Sequence, residues 1–190
     1  EGVPHHLIDI VEPEFDYSAG KYAEDAKVAI EDILSRGKMP IVAGGTGLYF
    51  RVLLENYDLP KVETDYALRS ELEKRDKADL LAELEKLDNI TYERVKDANL
   101  RRIIRALELI KLLGKPLSSV SMEKEPEYDV EWIMPEIPSR EWLYERINRR
   151  VDIMVEMGVI EETQNLIKIH GRIPNIVDTI GYKEILTYLD

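Results

Sequence analysis

Gly44, Gly45, Thr46 and Gly47 follow a short apolar run, Ile41-Val42-Ala43, and open into Leu48, Tyr49 and Phe50. This pattern predicts a buried strand that feeds a helix through a glycine turn. At such a junction the first helical N–H groups lack partners and the helix dipole is positive, so the turn can hold an anion. Thr46 adds a hydroxyl at the carboxyl end of the strand, the edge where open α/β sheets bind their ligands. The same spacing also serves a turn with only a packing role. It is not a Walker A loop, because G-x-x-x-x-G-K-[ST] occurs nowhere in the chain.

Arginine supplies the second kind of chemistry. Arg101, Arg102 and Arg105 fall on one predicted helix, with Arg101 and Arg105 on a shared face and Arg102 on the neighbouring stripe. Like charges four apart cost an isolated helix a few tenths of a kcal/mol, which an anionic partner would offset. The alternative is a solvated face with local pairs such as Arg105–Glu108. Arg146, Arg149 and Arg150 form a second group. Glu145 can pair with Arg149, and Glu141 less directly with Arg146, whereas Arg150 has no carboxylate four residues away on either side. Arg150 borders an apolar stripe; its planar fork suits a diphosphate, or its stem covers the edge of a core. His5 and His6 with Asp9 make an incomplete metal set, and His170 stands alone in a loop. No Ser-His-Asp or Cys-His set is supported, and Glu161-Glu162 falls on an exposed helix face.

His6–Ile10 predicts a strand, Ser18 caps a helix to about Arg36, Gly37 ends it, and Pro40–Ala43 is the next strand. That βαβ unit implies parallel strands and a right-handed crossover. A helix from Tyr49 to about Asn56 meets a boundary at Asp58-Leu59-Pro60. From Thr64 to about Ser121 the pattern is helical and charged, with the clearest helix at Asn99–Leu113, stopped by Gly114-Lys115-Pro116. Val130–Met134 returns to strand character. Ser139 then caps a helix over Arg140–Met157, whose stripe is Leu143, Ile147, Val151, Met154 and Val155. Val159–Ile169 and Thr179–Leu189 are the last helices, with His170–Pro174 as the loop between them. The expected layout is an α/β core from residues 1–60 and 128–190, interrupted by an all-helical insertion over 61–127.

The chain has 190 residues, 44% of them hydrophobic and 34% charged, enough for a core and a well-solvated surface. It has no cysteine, which excludes disulfides and thiolate chemistry. No apolar run is long enough to span a bilayer, so no membrane association is expected. The formal charge of −12 argues against a nucleic-acid binder, yet screening confines each patch to roughly 10 Å, so clustered arginines can still engage phosphates. The chain opens on Glu1 close to an expected strand and reads as a piece of a longer protein.

PHHLIDI, DYSAGKY, IVAGGTGLYFRVLLEN, NLRRIIRALELI, RINRRVDIMVEMGVIEE and IGYKEILTYL, in this order, resemble the bacterial tRNA dimethylallyltransferases across essentially the whole chain. The resemblance implies a P-loop-NTPase-like parallel-sheet core with a helical insertion that grips the anticodon stem-loop of tRNA. It implies transfer of a dimethylallyl group from dimethylallyl diphosphate to N6 of the adenosine 3′ of the anticodon, with Mg²⁺, in a cytoplasmic enzyme that is monomeric at full length. By motif, Thr46 is expected at the target adenosine and Arg150 on the diphosphate, both as catalytic residues. Arg69, the segment Arg101, Arg102, Ile103, Ile104 and Arg105, and the segment Thr179, Ile180, Gly181, Tyr182 and Lys183 are expected to contact tRNA. The chain departs from the family in lacking the N-terminal GPTASGKT-type phosphate loop, the D-S motif that follows it and the C-terminal basic tail. It therefore offers no proton acceptor and no Mg²⁺ ligand, and is expected to be inactive by itself, with an open sheet edge and marginal stability or self-association. Alternatives are an adenylate isopentenyltransferase acting on free nucleotides, a non-catalytic RNA-binding remnant, or a nucleotide kinase-like relative.

Overall fold

The computed structural model describes residues 2–55, 57, 59–60, 62, 64–121 and 125–190. The expected helix end at Asn56 and the boundary residue Asp58 lie outside them. The chain forms two compact units, one from residues 1–18 with Val130–Asp190, the other Ala19–Asp129. The second unit therefore includes residues 19–60, which the sequence pattern assigns to the α/β core.

Ala19–Asp129 begins with α1 (Ala19–Ser35), whose buried residues Ala19, Ala23, Ala26 and Ile30 recur at helical spacing. The small side chains of Ala19 and Ala23 let α2 (Gly47–Leu54) pack closely through Val52, and Tyr22 stacks on Tyr49 with ring centroids 4.4 Å apart. α3 (Tyr66–Glu73), α4 (Lys77–Leu87), α5 (Asn89–Val95) and α6 (Leu100–Leu113) follow. Their core joins Leu72, Leu80 and Leu84 to Ile103, Ile104, Ala106, Leu107 and Ile110 of α6. Each fully buried leucine contributes about 2 kcal/mol. Asn99 caps α6 by accepting from the Arg102 N–H at 3.1 Å, and Gly114, at φ +64°, turns the chain out of it.

Asp88 joins α4 to α5. Its carboxylate accepts from the Thr91 N–H at 3.0 Å and the Thr91 hydroxyl at 2.6 Å, and from the Ser118 N–H at 2.8 Å, which pins the 3₁₀ turn Leu117–Ser119. Burial pushes this carboxyl up, but the Thr91 and Ser118 hydrogen bonds outweigh it and hold the group at about 2, below its ordinary 3.8. A lowered carboxyl stabilises the fold fully above its unfolded value and loses that contribution as pH falls through the folded value. Asp88→Ala should therefore lower the unfolding free energy by about 2 kcal/mol near neutral pH, and the gap to wild type should narrow to about half near pH 3. Urea melts across that range check both.

In the other unit, Ser139 accepts from the Trp142 N–H at 3.2 Å and starts α7 (Arg140–Glu156). α8 (Val159–His170) packs through Val159 and Thr163, whose hydroxyl donates to the Val159 carbonyl at 2.7 Å. α9 (Pro174–Val177), to which the sequence pattern assigns no element beyond the loop residue Pro174, buries Ile176. α10 (Tyr182–Leu189) buries Leu186. Asn175 donates to the Pro13 carbonyl at 2.9 Å and fastens the N-terminal segment to α9.

The expected parallel sheet is absent from the described residues: His6–Ile10, Pro40–Ala43 and Val130–Met134 form no strand. In the first, Leu7 and Asp9 sit at φ 62° and 53°, in the left-handed region that no strand uses. In the others, Ile41 is 83% exposed and Ile133 and Met134 are each 86% exposed. A strand exists only when a neighbour satisfies its N–H and C=O groups, and these segments have no such ladder among the described residues. With no strand, the expected open sheet edge is absent from them too. The expected buried stripe of α7 is likewise uncovered: the helix buries no residue, and Ile147, Val151 and Val155 are each about half exposed.

Candidate nucleic-acid interface

The start of α6 presents Arg101 and Arg102 to solvent, with no ion pair among the described residues. Ile103 and Ile104, expected to touch tRNA, are in the core instead. Their side chains anchor the helix, while the arginines on either side carry its surface. Arg105 folds back onto Glu108, donating from Nη1 to Oε2 at 2.8 Å. Arg69, on α3, donates from Nη2 to the same oxygen at 2.9 Å. The structure thus brings together two of the predicted residues, 36 positions apart in sequence, on one carboxylate. Oε1 of Glu108 accepts from the Asp65 N–H at 3.2 Å, at the first turn of α3.

Glu108 is fully buried, while the Arg69 and Arg105 side chains remain about one third exposed. Burial would raise the Glu108 carboxyl; the hydrogen bonds from Arg105 and Arg69 more than offset that and hold it below the ordinary range. Two guanidiniums on one carboxylate leave a net charge of +1, fixed in position and open to solvent. The sequence pattern offers Glu108 only as a local partner of Arg105. The missed signal is its spacing: four residues after Ile104, it falls on the apolar stripe, where an acidic residue must be buried and paired.

Thr46 is the N-cap of α2 in extended backbone, φ −87°, ψ 94°, and its side chain makes no capping hydrogen bond. Its carbonyl accepts from the Tyr49 N–H at 3.0 Å. An added Cβ at Gly45 or Gly47 would meet nothing within 4 Å, and neither has positive φ, so this local fold does not itself require glycine there. The turn leaves open backbone beside an exposed hydroxyl.

In the other unit, Arg150 is exposed on α7 and has no ion pair among the described residues. The pairs Glu145–Arg149 and Glu141–Arg146 do not form among them; Arg146 instead lies over the Trp142 ring at 4.8 Å. Across Thr179–Lys183, Thr179 donates to the Asn175 carbonyl at 2.6 Å, and Gly181, at φ +99°, requires glycine and donates to Glu184 at 2.7 Å. The Tyr182 hydroxyl donates to Glu162, a bond that, with burial, pushes the phenol up to about 12. Ile180, 92% exposed, and Lys183 face solvent.

Among the described residues, one set of three side chains converges as metal ligands do: Glu12, Glu14 and His170, with ligand atoms within 4.8 Å of one another. His170 Nδ1 lies 2.7 Å from Glu14, and that hydrogen bond holds the Glu14 carboxyl below its ordinary value. Two exposed carboxylates and an imidazole do not suit Mg²⁺, which demands oxygen ligands in near-ideal octahedral geometry.

The family described as IPP transferase matches residues 1–190, and the chain belongs to it. It is 44% identical to a tRNA dimethylallyltransferase of Pelotomaculum thermopropionicum, over 100% of this chain and 62% of that protein. It is 39% identical to one of Caldanaerobacter subterraneus, over 100% of this chain and 63% of that protein. The chain thus spans a little over three fifths of the length of these relatives. The solved tRNA isopentenylpyrophosphate transferase of Bacillus halodurans aligns with TM-score 0.57 and 36% identity, over 100% of this chain and 60% of that one. A eukaryotic dimethylallyltransferase acting on tRNA aligns with TM-score 0.76 and 27% identity, over 99% of this chain and 50% of that one.

Proposed function

We propose that the full-length protein transfers a dimethylallyl group from dimethylallyl diphosphate to N6 of the adenosine 3′ of the tRNA anticodon. The observation that carries this reading is the family match over all 190 residues. In the reaction the N6 amine attacks the prenyl carbon, the carbon–oxygen bond to diphosphate breaks, and the amine loses a proton as pyrophosphate leaves. The protein must position two substrates, neutralise charge on the leaving group and accept a proton.

Arg150, exposed and without an ion pair among the described residues, is assigned to the diphosphate; Thr46, with a hydroxyl unused by its helix, to the target adenosine. Arg69, Arg101, Arg102, Arg105 and Thr179–Lys183 are assigned to the RNA. No residue of this chain is assigned as the proton acceptor, so the 190 residues alone are expected to be inactive. The proposal extends to a P-loop-like parallel sheet in the full-length protein, in which the exposed runs at Ile41–Ala43 and Val130–Met134 gain strand partners. It further includes Mg²⁺ held by residues outside this chain, a monomeric state and a cytoplasmic location.

Labelled dimethylallyl diphosphate offered with an anticodon stem-loop and, in parallel, with AMP tests the reading. Transfer to the stem-loop supports it. Transfer to AMP alone would move the protein to free-nucleotide prenylation, and stem-loop binding without any transfer would leave an RNA-binding protein.

A further inference from the structure

We infer that Glu108 is a positioning residue: its buried carboxylate sets the Arg69 and Arg105 guanidiniums as a preformed pair for phosphodiester oxygens of the bound RNA. This rests on the proposed function, since it takes RNA as the partner. Glu108 lies in the core, and both arginines converge on its Oε2 from different helices, at 2.9 and 2.8 Å. Each guanidinium carries five N–H donors, so one bond to Glu108 leaves others for a ligand. Both arginines are about one third exposed, so those donors can be reached from solvent. Through the Asp65 N–H, the same carboxylate also ties the first turn of α3 to α6, which fixes the spacing of the two arginines. Free arginines would have to lose rotamer freedom on binding, and this pair has already lost much of it.

The sign of the effect separates positioning from simple charge. If Glu108 were only a counter-charge, Glu108→Gln would raise the cluster from +1 to +2, tighten RNA binding and steepen its salt dependence. As a positioning residue, its loss weakens binding despite the added positive charge. A neighbouring ion-pair site gives the control for a purely structural role. Glu83, one quarter exposed, holds Arg75 and Lys111 in the same helical unit, so Glu83→Gln likewise removes a carboxylate that pairs two cations.

The test uses the full-length protein and a labelled anticodon stem-loop, with anisotropy, transfer kinetics and thermal melts on each variant. Glu108→Gln should raise Kd and KM for the RNA about tenfold with kcat within about twofold, the equivalent of roughly one charge-assisted hydrogen bond. Glu83→Gln should leave RNA affinity within about twofold of wild type. Should Glu108→Gln fail to fold, Arg69→Lys/Arg105→Lys keeps the charge and removes the fork, and the same roughly tenfold loss is expected. Unchanged or tighter binding by Glu108→Gln, or wild-type binding by the double lysine variant, would overturn the inference while leaving the proposed function standing. Equal losses in Glu108→Gln and Glu83→Gln that track their melting temperatures would also overturn it. Failure of the wild-type protein to bind the stem-loop would overturn both.

Discussion

Arg150→Ala in the full-length protein is expected to lower kcat for prenyl transfer by a factor of about 10²–10³, the scale seen when one group stabilising transition-state charge is removed. As the bond to the prenyl carbon breaks, negative charge grows on the diphosphate, so a guanidinium on that group contributes more in the transition state than in the ground state. Arg150 is suited to this because no carboxylate among the described residues neutralises it. Arg150→Lys keeps the charge and loses the planar fork, so it should fall between the alanine variant and wild type. Arg150 is exposed and forms no ion pair among the described residues, so the melting temperature of either variant should stay close to wild type. Single-turnover rates with both substrates saturating, read beside a thermal melt, check this. A wild-type kcat in Arg150→Ala would remove Arg150 from the chemistry.

Leu107→Ala is expected to destabilise the helical unit by about 3 kcal/mol, within the range for deleting a fully buried leucine. Leu107 is fully buried at the centre of α6, within the cluster that includes Leu72, Leu80 and Leu84. The cost combines lost transfer free energy with a cavity that three facing helices cannot fully collapse. Leu112, more than one third exposed on the same helix, is the contrast: Leu112→Ala should cost less than about 1 kcal/mol. Urea denaturation of the two variants, followed by far-UV circular dichroism, gives the difference. Equal midpoints would mean that α6 is not the spine of the unit.

The helices were legible where local signals agree. Asn99 and Gly114 bracket α6, and Ser139 starts α7, because capping chemistry and apolar spacing lie within a few residues of each other. The strands were not, because pairing is non-local. The Ile41–Ala43 run shows that a segment wants cover, but not whether a neighbouring strand supplies it, and here Ile41 is 83% exposed. At the site, the arginines announced themselves by clustering. The carboxylate that orders two of them did not, because Arg69 and Glu108 are 39 residues apart and only the packing of α3 on α6 joins them. Ile103 and Ile104 show the limit of carrying over a motif as a block: alternate stripes of one helix face the core and the solvent.

As the proposed transferase, the full-length protein is expected to prenylate one adenosine, the one 3′ of the anticodon. The most direct measurement incubates it with labelled dimethylallyl diphosphate and a tRNA bearing that adenosine, then locates the label after nuclease digestion. Label is expected on N6 of that nucleoside alone, with none on a tRNA that carries guanosine in its place. Label at another nucleotide, or equal labelling of the guanosine tRNA, would contradict it.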